Sequence, residues 1–383
     1  MKDLKPVQLL SMKSEVSIIK CTNYDSAKVF KAVESAVNLI GGIGSFVKPG
    51  AKVLVKPNIL MATPPETGVT THPEVVRAVL RLLKQLNCKV YVGDGPSVWG
   101  GYIENVDQVY AVSGIEGVCR QEGVEMVKFH KKHWRQNIPF TNWLDDCQYL
   151  INIPKVKTHS FTLMTGAIKN LFGLVPGTYK TELHKAYFQP NSFAEMLVDI
   201  YQRARPVLNI VDGITAIEGD GPGTSGKVRK LGVMLASTDA VAVDSVIAVL
   251  MGIEPSQVPT IVHADMRKLG VADINNIEIL GESIKDVKQK PFLLPSSGAK
   301  AKIPRVVAEI AKKLIRYYPY VVNTKCIRCG ACIKACPAKI VSIKNNRIVF
   351  NYSKCIACFC CQEVCPQAAI KIRRSIVAKL IGL

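Results

Sequence analysis

Between residues 326 and 337 the chain reads CIRCGACIKACP, and between 355 and 366 it reads CIACFCCQEVCP. The two runs place cysteines at the same offsets and each is closed by a proline, a repeat that constrains the fold more than any other feature. Three thiolates on a tight C-x-x-C-x-x-C loop reach three corners of a 4Fe-4S cubane, and the fourth cysteine, beyond that loop, serves the other cubane. The runs therefore predict one cluster on Cys326, Cys329, Cys332 and Cys365 and a second on Cys355, Cys358, Cys361 and Cys336. Zinc also takes paired C-x-x-C units, but it needs only four ligands per ion and gives no reason for two identical quartets that each end in Cys-Pro. Cys360 falls outside the pattern, as a packed neighbour or a spare ligand.

The other four of the thirteen cysteines, Cys21, Cys88, Cys119 and Cys147, are scattered and read as inert thiols. Clustered C-x-x-C units favour metal ligation over a disulfide framework. The start, MKDLKPVQLLSMKSEV, has no signal-peptide pattern, and no run of about 18 apolar residues is present, so a cytoplasmic location is expected. The formal charge of +20 is unevenly spread: residues 301–383 carry sixteen Lys or Arg against Glu309 and Glu363 alone. Such a surplus calls for an acidic partner, an anionic membrane surface or nucleic acid. No nucleic-acid recognition motif accompanies it.

From residue 26 to about 290, strand-length apolar runs alternate with helical patterns. SAKVFKAVESAVNLI puts Val29, Val33, Ala36, Val37 and Ile40 on one helical face, AKVLVKPN reads as a strand, and Thr71 and Glu74 have capping-box spacing around Pro73. CKVYVGDG, CQYLINI, VLNIV and KLGVMLA continue the series. The expectation is an α/β body over residues 1–290, an open, mostly parallel sheet with helices on both faces. Residues 286–304, with Pro291, Pro295 and Pro304, read as a linker. PRVVAEIAKKLIRYYP then reads as an amphipathic helix that either docks the tail or lies on a membrane surface, within a 291–319 connection. A small α+β two-cluster domain over 320–375 and a tail over 376–383 complete the chain.

Residues just beyond predicted strands are the candidate site, because ligands of open parallel sheets sit at the carboxyl ends of the strands. They are Lys56 and Asn58, Thr71 and His72, Asp94 and Ser97, and Asp212. The densest stretch is NIPKVKTHSFTLMTGAIKNLFG. Strand alternation puts Lys155, Lys157 and His159 on one face, and TGAIKN starts a helix bearing Lys169 and Asn170. Cations beside a helix N-terminus suit phosphate or carboxylate; a solvated edge strand is the plainer alternative. EGDGPGTSG, residues 218–226, reads as a lid-like loop, or as a phosphate loop in spite of Pro222. His130, His133 and His184 read as surface or core histidines.

The cysteine module over residues 320–373, with its flanking strands VSIKNNRIVF and AIKIRR, resembles the bacterial-type two-cluster ferredoxin. That resemblance implies two adjacent clusters passing single electrons, here in a Lys-rich rather than acidic module. VKPNIL, TTHPEVV, GDGP and IPKVKTHSFTLMTGAIKNLFGLVPG resemble the signatures of the domain-of-unknown-function family 362 across most of residues 15–285. A C-terminal two-cluster ferredoxin is a common arrangement in that family, which is found largely in anaerobic bacteria and archaea, and its fold is thought similar to that of lactate racemase.

These observations give an iron–sulfur oxidoreductase in which the body binds an anionic small molecule, or a flavin, deazaflavin or other anionic organic cofactor, through Lys56, Lys155, Lys157, His159 and Lys169. Asp94, His159 and Asp212 are the catalytic candidates, and an acidic redox protein such as a free ferredoxin is the expected partner. The alternatives are a non-catalytic electron-transfer or docking subunit and a lactate-racemase-like metal-cofactor enzyme.

Overall fold

The computed structural model describes residues 14–96, 98–99, 102–103, 105–296 and 317–375. Ser97, the amphipathic stretch ending at residue 316 and the tail 376–383 lie outside the described residues.

Ten strands form the main sheet: β1 (Ser14–Lys20), β2 (Lys52–Pro57), β3 (Lys89–Val92), β4 (Glu125–Met126), β5 (Tyr149–Ile153), β6 (Lys155–His159), β7 (Leu163–Thr165), β8 (Leu208–Gly219), β9 (Gly226–Ser237) and β10 (Ile277–Gly281). Their order is β10-β1-β9-β8-β5-β2-β3-β4, with β6 beside β8 and β7. The β8-β5-β2-β3-β4 half is wholly parallel. The long β8–β9 hairpin and the β1–β9 pair are antiparallel, which makes the sheet mixed but mostly parallel.

Side-chain alternation splits each strand between two cores. Leu54 and Leu150 face one, whereas Val53, Val55, Ile151 and Ile153 face the other. Helices α1 (Ser26–Leu39) and α2 (Pro73–Gln85) cover the second face through Val29, Val33, Val76 and Val79. The first face carries α3 (Ala167–Asn170), α5 (Pro190–Ala204) and α6 (Ala240–Met251), with α4 (Tyr179–Ala186) alongside. Covering both faces is what a run of apolar parallel strands requires.

Two local expectations change. Thr71 does not cap α2: its hydroxyl donates to Ile153 O at 2.7 Å and accepts from Asn58 N–H, tying the loop to the sheet. His72 takes the cap, its Nδ1 accepting from Glu74 N–H at 3.2 Å. The front of the expected linker is not free either. Phe292 is buried with its N–H on Met251 O, and Leu293 and Ser296 donate to Glu218 and Asp220.

In the C-terminal module β11 (Tyr317–Val321) pairs with β14 (Ile370–Arg374), and β12 (Val341–Lys344) with β13 (Arg347–Phe350). One-turn helices α7 (Ala331–Lys334) and α8 (Cys360–Glu363) each carry part of a cysteine run.

Candidate functional site

Cys326, Cys329, Cys332 and Cys365 line one cavity of about 360 Å3, walled by Val321, Ile348 and Ile370. Cys336, Cys355, Cys358 and Cys361 line a second of about 320 Å3, walled by Ile340, Val341 and Phe359. The structure thus brings each crossed set of four thiols to one apolar cavity, the donor set a 4Fe-4S cubane takes. Backbone N–H groups of Ile340 and Ala369 point at the sulfurs of Cys336 and Cys365, at 3.4 and 3.2 Å, contacts that favour added negative charge on a bound cluster. Among the described residues no three His, Cys, Asp or Glu side chains close on a single ion.

The two loops face different ways. Cys329 is exposed, flanked by exposed Lys325, Arg328 and Lys334. The second loop is turned inward, and α8 sits against the body. Glu363 Oε1 is 3.2 Å from His159 Nε2, Gln362 Nε2 donates to Asp220 O at 3.0 Å, and Thr224 Oγ1 donates to Cys365 O at 2.7 Å. A Cβ on Gly223 would lie 2.6 Å from Glu363 O, so glycine is required for this approach. The stretch 218–226, expected as a lid or a phosphate loop, is instead the turn of the β8–β9 hairpin on which the second cysteine loop rests.

Above this junction lies a cleft of about 640 Å3, open to solvent. The body contributes Asn58, Asp94, Lys169, Asn170 and Lys180, and Phe172 and His184 supply ring surface. Ala335, Cys360 and Glu363 close it from the cysteine loops. Cys360 is 1% exposed and packs with Ala335 and Cys358.

Burial dominates the electrostatics. It pulls the His159 imidazole down to about 4, helped by Lys169, so the ring is neutral at pH 7. Its Nδ1 accepts N–H from Phe161 and Thr162, which places the ring proton on Nε2, toward Glu363. Burial opposes ionisation of Glu363, but His159 and Lys169 outweigh it and hold the carboxyl below its ordinary value. Burial also lowers Lys169, and it brings Lys157 down to about 7 and Lys180 to about 8.

The predicted residues separate into two groups. Lys155 spends all three ammonium hydrogens inside the protein, on Asp212 Oδ2 at 2.9 Å, Tyr24 Oη at 2.6 Å and Thr215 Oγ1 at 3.0 Å. Tyr24 donates to Asp212 and stacks on His72 at 3.6 Å between centroids. This network closes on itself beyond the cleft lining, and Lys155 and Asp212 are both fully buried. Lys56 is likewise buried, on Asp94 Oδ1 at 2.8 Å and Pro57 O. Lys157 donates to Val69 O and to Asn58 Oδ1, and from there an amide chain runs through Asn170 and Asn152 to Asn209. The edge-strand alternative fails, because every residue of β6 is buried.

The N-terminus of α3 is not open to an anion. Asp244, buried in α6, accepts N–H from Ala167 at 2.5 Å and Ile168 at 3.1 Å, and a Cβ on Gly166 would meet its Oδ1 at 2.1 Å. Of the lysines named from sequence, only Lys169 lines the cleft. Sequence reading missed Tyr24, Asn152, Lys180, Asp244 and Glu363. Two of these carried a signal: Asp244 is the lone charge in AVAVDSVIAVLM, and Glu363 is one of only two acids after residue 300. His133 pairs with exposed Asp145, at 2.8 Å.

A mostly parallel α/β body whose cleft is closed by a 4Fe-4S dicluster module defines an iron–sulfur protein with an electron-transfer module. Residues 318–366 match the family model of the 4Fe-4S dicluster domain, and residues 53–249 match that of the domain of unknown function DUF362. The chain belongs to the DUF362 family. It is 34% identical over 269 residues to the thylakoid-associated protein sll1697 of Synechocystis sp., covering 68% of this chain and 81% of that protein. Among solved structures it is similar to the lactate racemase apoprotein of Thermoanaerobacterium thermosaccharolyticum, at 11% identity and TM-score 0.40. That match covers 63% of this chain and 58% of that one, under two thirds of its length. Among the described residues no helix is long and apolar enough to cross a membrane.

Proposed function

We propose that the protein is an iron–sulfur oxidoreductase that exchanges electrons with an anionic small molecule, or with an organic cofactor such as a flavin or deazaflavin, held in the junction cleft. The observation that carries this reading is the shared wall: Cys360 and Glu363, beside the ligands Cys358, Cys361 and Cys365, face the same space as Asn58 and Lys169. When bound, two 4Fe-4S clusters supply and accept electrons one at a time. Lys169 offers the cleft a positive charge, Asn58 and Asn170 fix the floor, and the α8–hairpin contacts exclude water from the inner end. The neutral His159 holds a proton on Nε2 at the cysteine-loop side.

Exposed Lys325, Arg328 and Lys334 around the first cysteine loop suit docking of an acidic one-electron carrier such as a free ferredoxin. A cytoplasmic setting suits the nine unbridged cysteines of the tail.

The test is anaerobic purification with iron counting and mass spectrometry of whatever small molecules acid releases. About eight irons per chain, four for each cubane, are expected. A stoichiometric organic ligand lost in Lys169→Met supports the reading. Full iron with no ligand, and no salt-sensitive complex with an acidic ferredoxin, would remove it, whereas the complex alone would make the chain an electron-transfer subunit.

A further inference from the structure

A groove of about 1280 Å3, open to solvent, lies between the body and the C-terminal module and shares no lining residue with the junction cleft. The body contributes the residues after β6 and the α4–α5 turn, and the module contributes β11 and the second cysteine loop. Its composition is unlike that of the chain as a whole. Asp, Glu, Lys and Arg make up 21% of the sequence, yet among the described residues none of them, and no His, lines the groove. Aromatic residues make up only 7% of the sequence, yet Phe161, Phe188, Tyr317, Tyr318, Tyr352 and Phe359 all line it. Such walls give a charged ligand no partner and favour a flat apolar ring.

The walls are braced from behind. Tyr352 Oη donates to Pro319 O at 2.9 Å, and its ring meets Tyr318 at 5.2 Å and Phe350 at 5.9 Å between centroids. Phe161 packs edge-on to Phe193 at 5.3 Å. Phe188, by contrast, is 42% exposed, a large ring left uncovered. Tyr318 and Gln189 add uncharged donors, which suit carbonyl oxygens. Cys355, Ile356, Ala357 and Phe359 line both the groove and the second cysteine cavity, so a single loop separates the two.

We propose that this groove is a second redox site, apart from the junction cleft, and that it takes a flat, uncharged ring bearing two carbonyls, a quinone, packed on Phe188 and Tyr318 beside the loop of Cys355. The uncharged aromatic walls set the ring class, the neutral donors set the carbonyls, and the loop shared with a cluster cavity sets the electron-accepting character. Two electrons from a low-potential one-electron carrier protein and two protons from solvent, which the open groove admits, convert the quinone to its hydroquinone. Both C=O groups become C–OH, the ring between them becomes aromatic, and the molecule stays uncharged. The site stands whether or not the junction cleft binds an anion.

The experiment measures equilibrium binding of 2-(hydroxymethyl)anthraquinone, and of anthraquinone-2-sulfonate as its charged counterpart, to the anaerobic, fully iron-loaded, oxidised chain. The neutral quinone should bind one to one, at least about 10-fold more tightly than the sulfonate, because the groove gives the added charge no partner. Its affinity should drop about 2- to 12-fold in Phe188→Ala, the range expected for losing one aromatic pair, and recover in Phe188→Tyr. Reduced protein should form the hydroquinone, one for every two electrons, at a rate that saturates with quinone concentration. The sulfonate binding as tightly as the neutral quinone would overturn the uncharged class. Affinity lowered by Lys169→Met and untouched by Phe188→Ala would put the ring in the junction cleft and overturn the groove. A quinone that binds but is not reduced, or is reduced without saturation, would overturn the redox role. Binding of neither compound would overturn the site and leave the groove to a protein partner or to another segment of this chain.

Discussion

Lys155 and Lys169 come from one lysine-rich stretch and end in opposite circumstances. Lys155, on a strand, is enclosed by Asp212, Tyr24 and Thr215, so every donor it has is used. Lys169, one helical turn beyond a short strand, reaches a cleft that a second module closes, with no acceptor among the described residues. The first arrangement fixes the carboxyl ends of the strands; the second leaves a charge for something else to meet. Lysine content alone cannot separate a structural cation from a binding one, because the difference lies in whether the surrounding chain has already supplied the acceptors.

The largest effect should come from breaking the closed network. Asp212→Ala strands Lys155 without its counter-charge, and such losses cost about 3–5 kcal/mol. Denaturant unfolding should show it, and an apolar replacement of both partners should return much of it. A loss below about 1 kcal/mol would mean that the network is not closed.

Next in size, Gly166→Ala drives a Cβ into Asp244. Overpacking of this kind costs about 1–3 kcal/mol. Because Asp244 holds the turn that presents Lys169, the variant should weaken ligand binding as well as stability. Stability lost with binding intact would detach Asp244 from the cleft.

Acid should act through the buried histidines. Burial holds His72 at about 4 and His184 at about 3, against about 6.5 in an unfolded chain. Between those values the unfolded chain binds more protons, so stability is lost as pH falls from about 6.5 towards 4. Asp244, raised by burial to about 7, works the other way: the folded chain holds its proton as pH falls below about 7. The melting temperature at pH 5 should therefore lie below that at pH 7, and further below it in Asp244→Asn. An identical pH dependence in the variant would show that Asp244 does not titrate in this range.

The smallest effect on stability belongs to Lys169→Met, about 1 kcal/mol or less, because Lys169 makes no hydrogen bond among the described residues and supports the buried Glu363 carboxylate only through its charge. A loss comparable to that of Asp212→Ala would erase the contrast between the two lysines.

The two cysteine quartets and the alternating α/β body were legible because their signals are local: the cysteine spacing repeats, and the strand and helix periods are written in the apolar residues. Helix-capping chemistry was misread at Thr71, whose hydroxyl is claimed by Ile153, 82 positions away. The turn of 218–226 gave no sign that Gly223 stands against Glu363, because no local pattern encodes a contact between segments about 140 residues apart.

The sequence by itself determined that this protein has an α/β body and carries two cysteine quartets, since periodicity and ligand spacing act within a few residues. Only the tertiary structure decided which quartet faces the body, which lysines are sealed and which one opens on the cleft. Those outcomes depend on burial and on acceptors that distant segments bring to each charge.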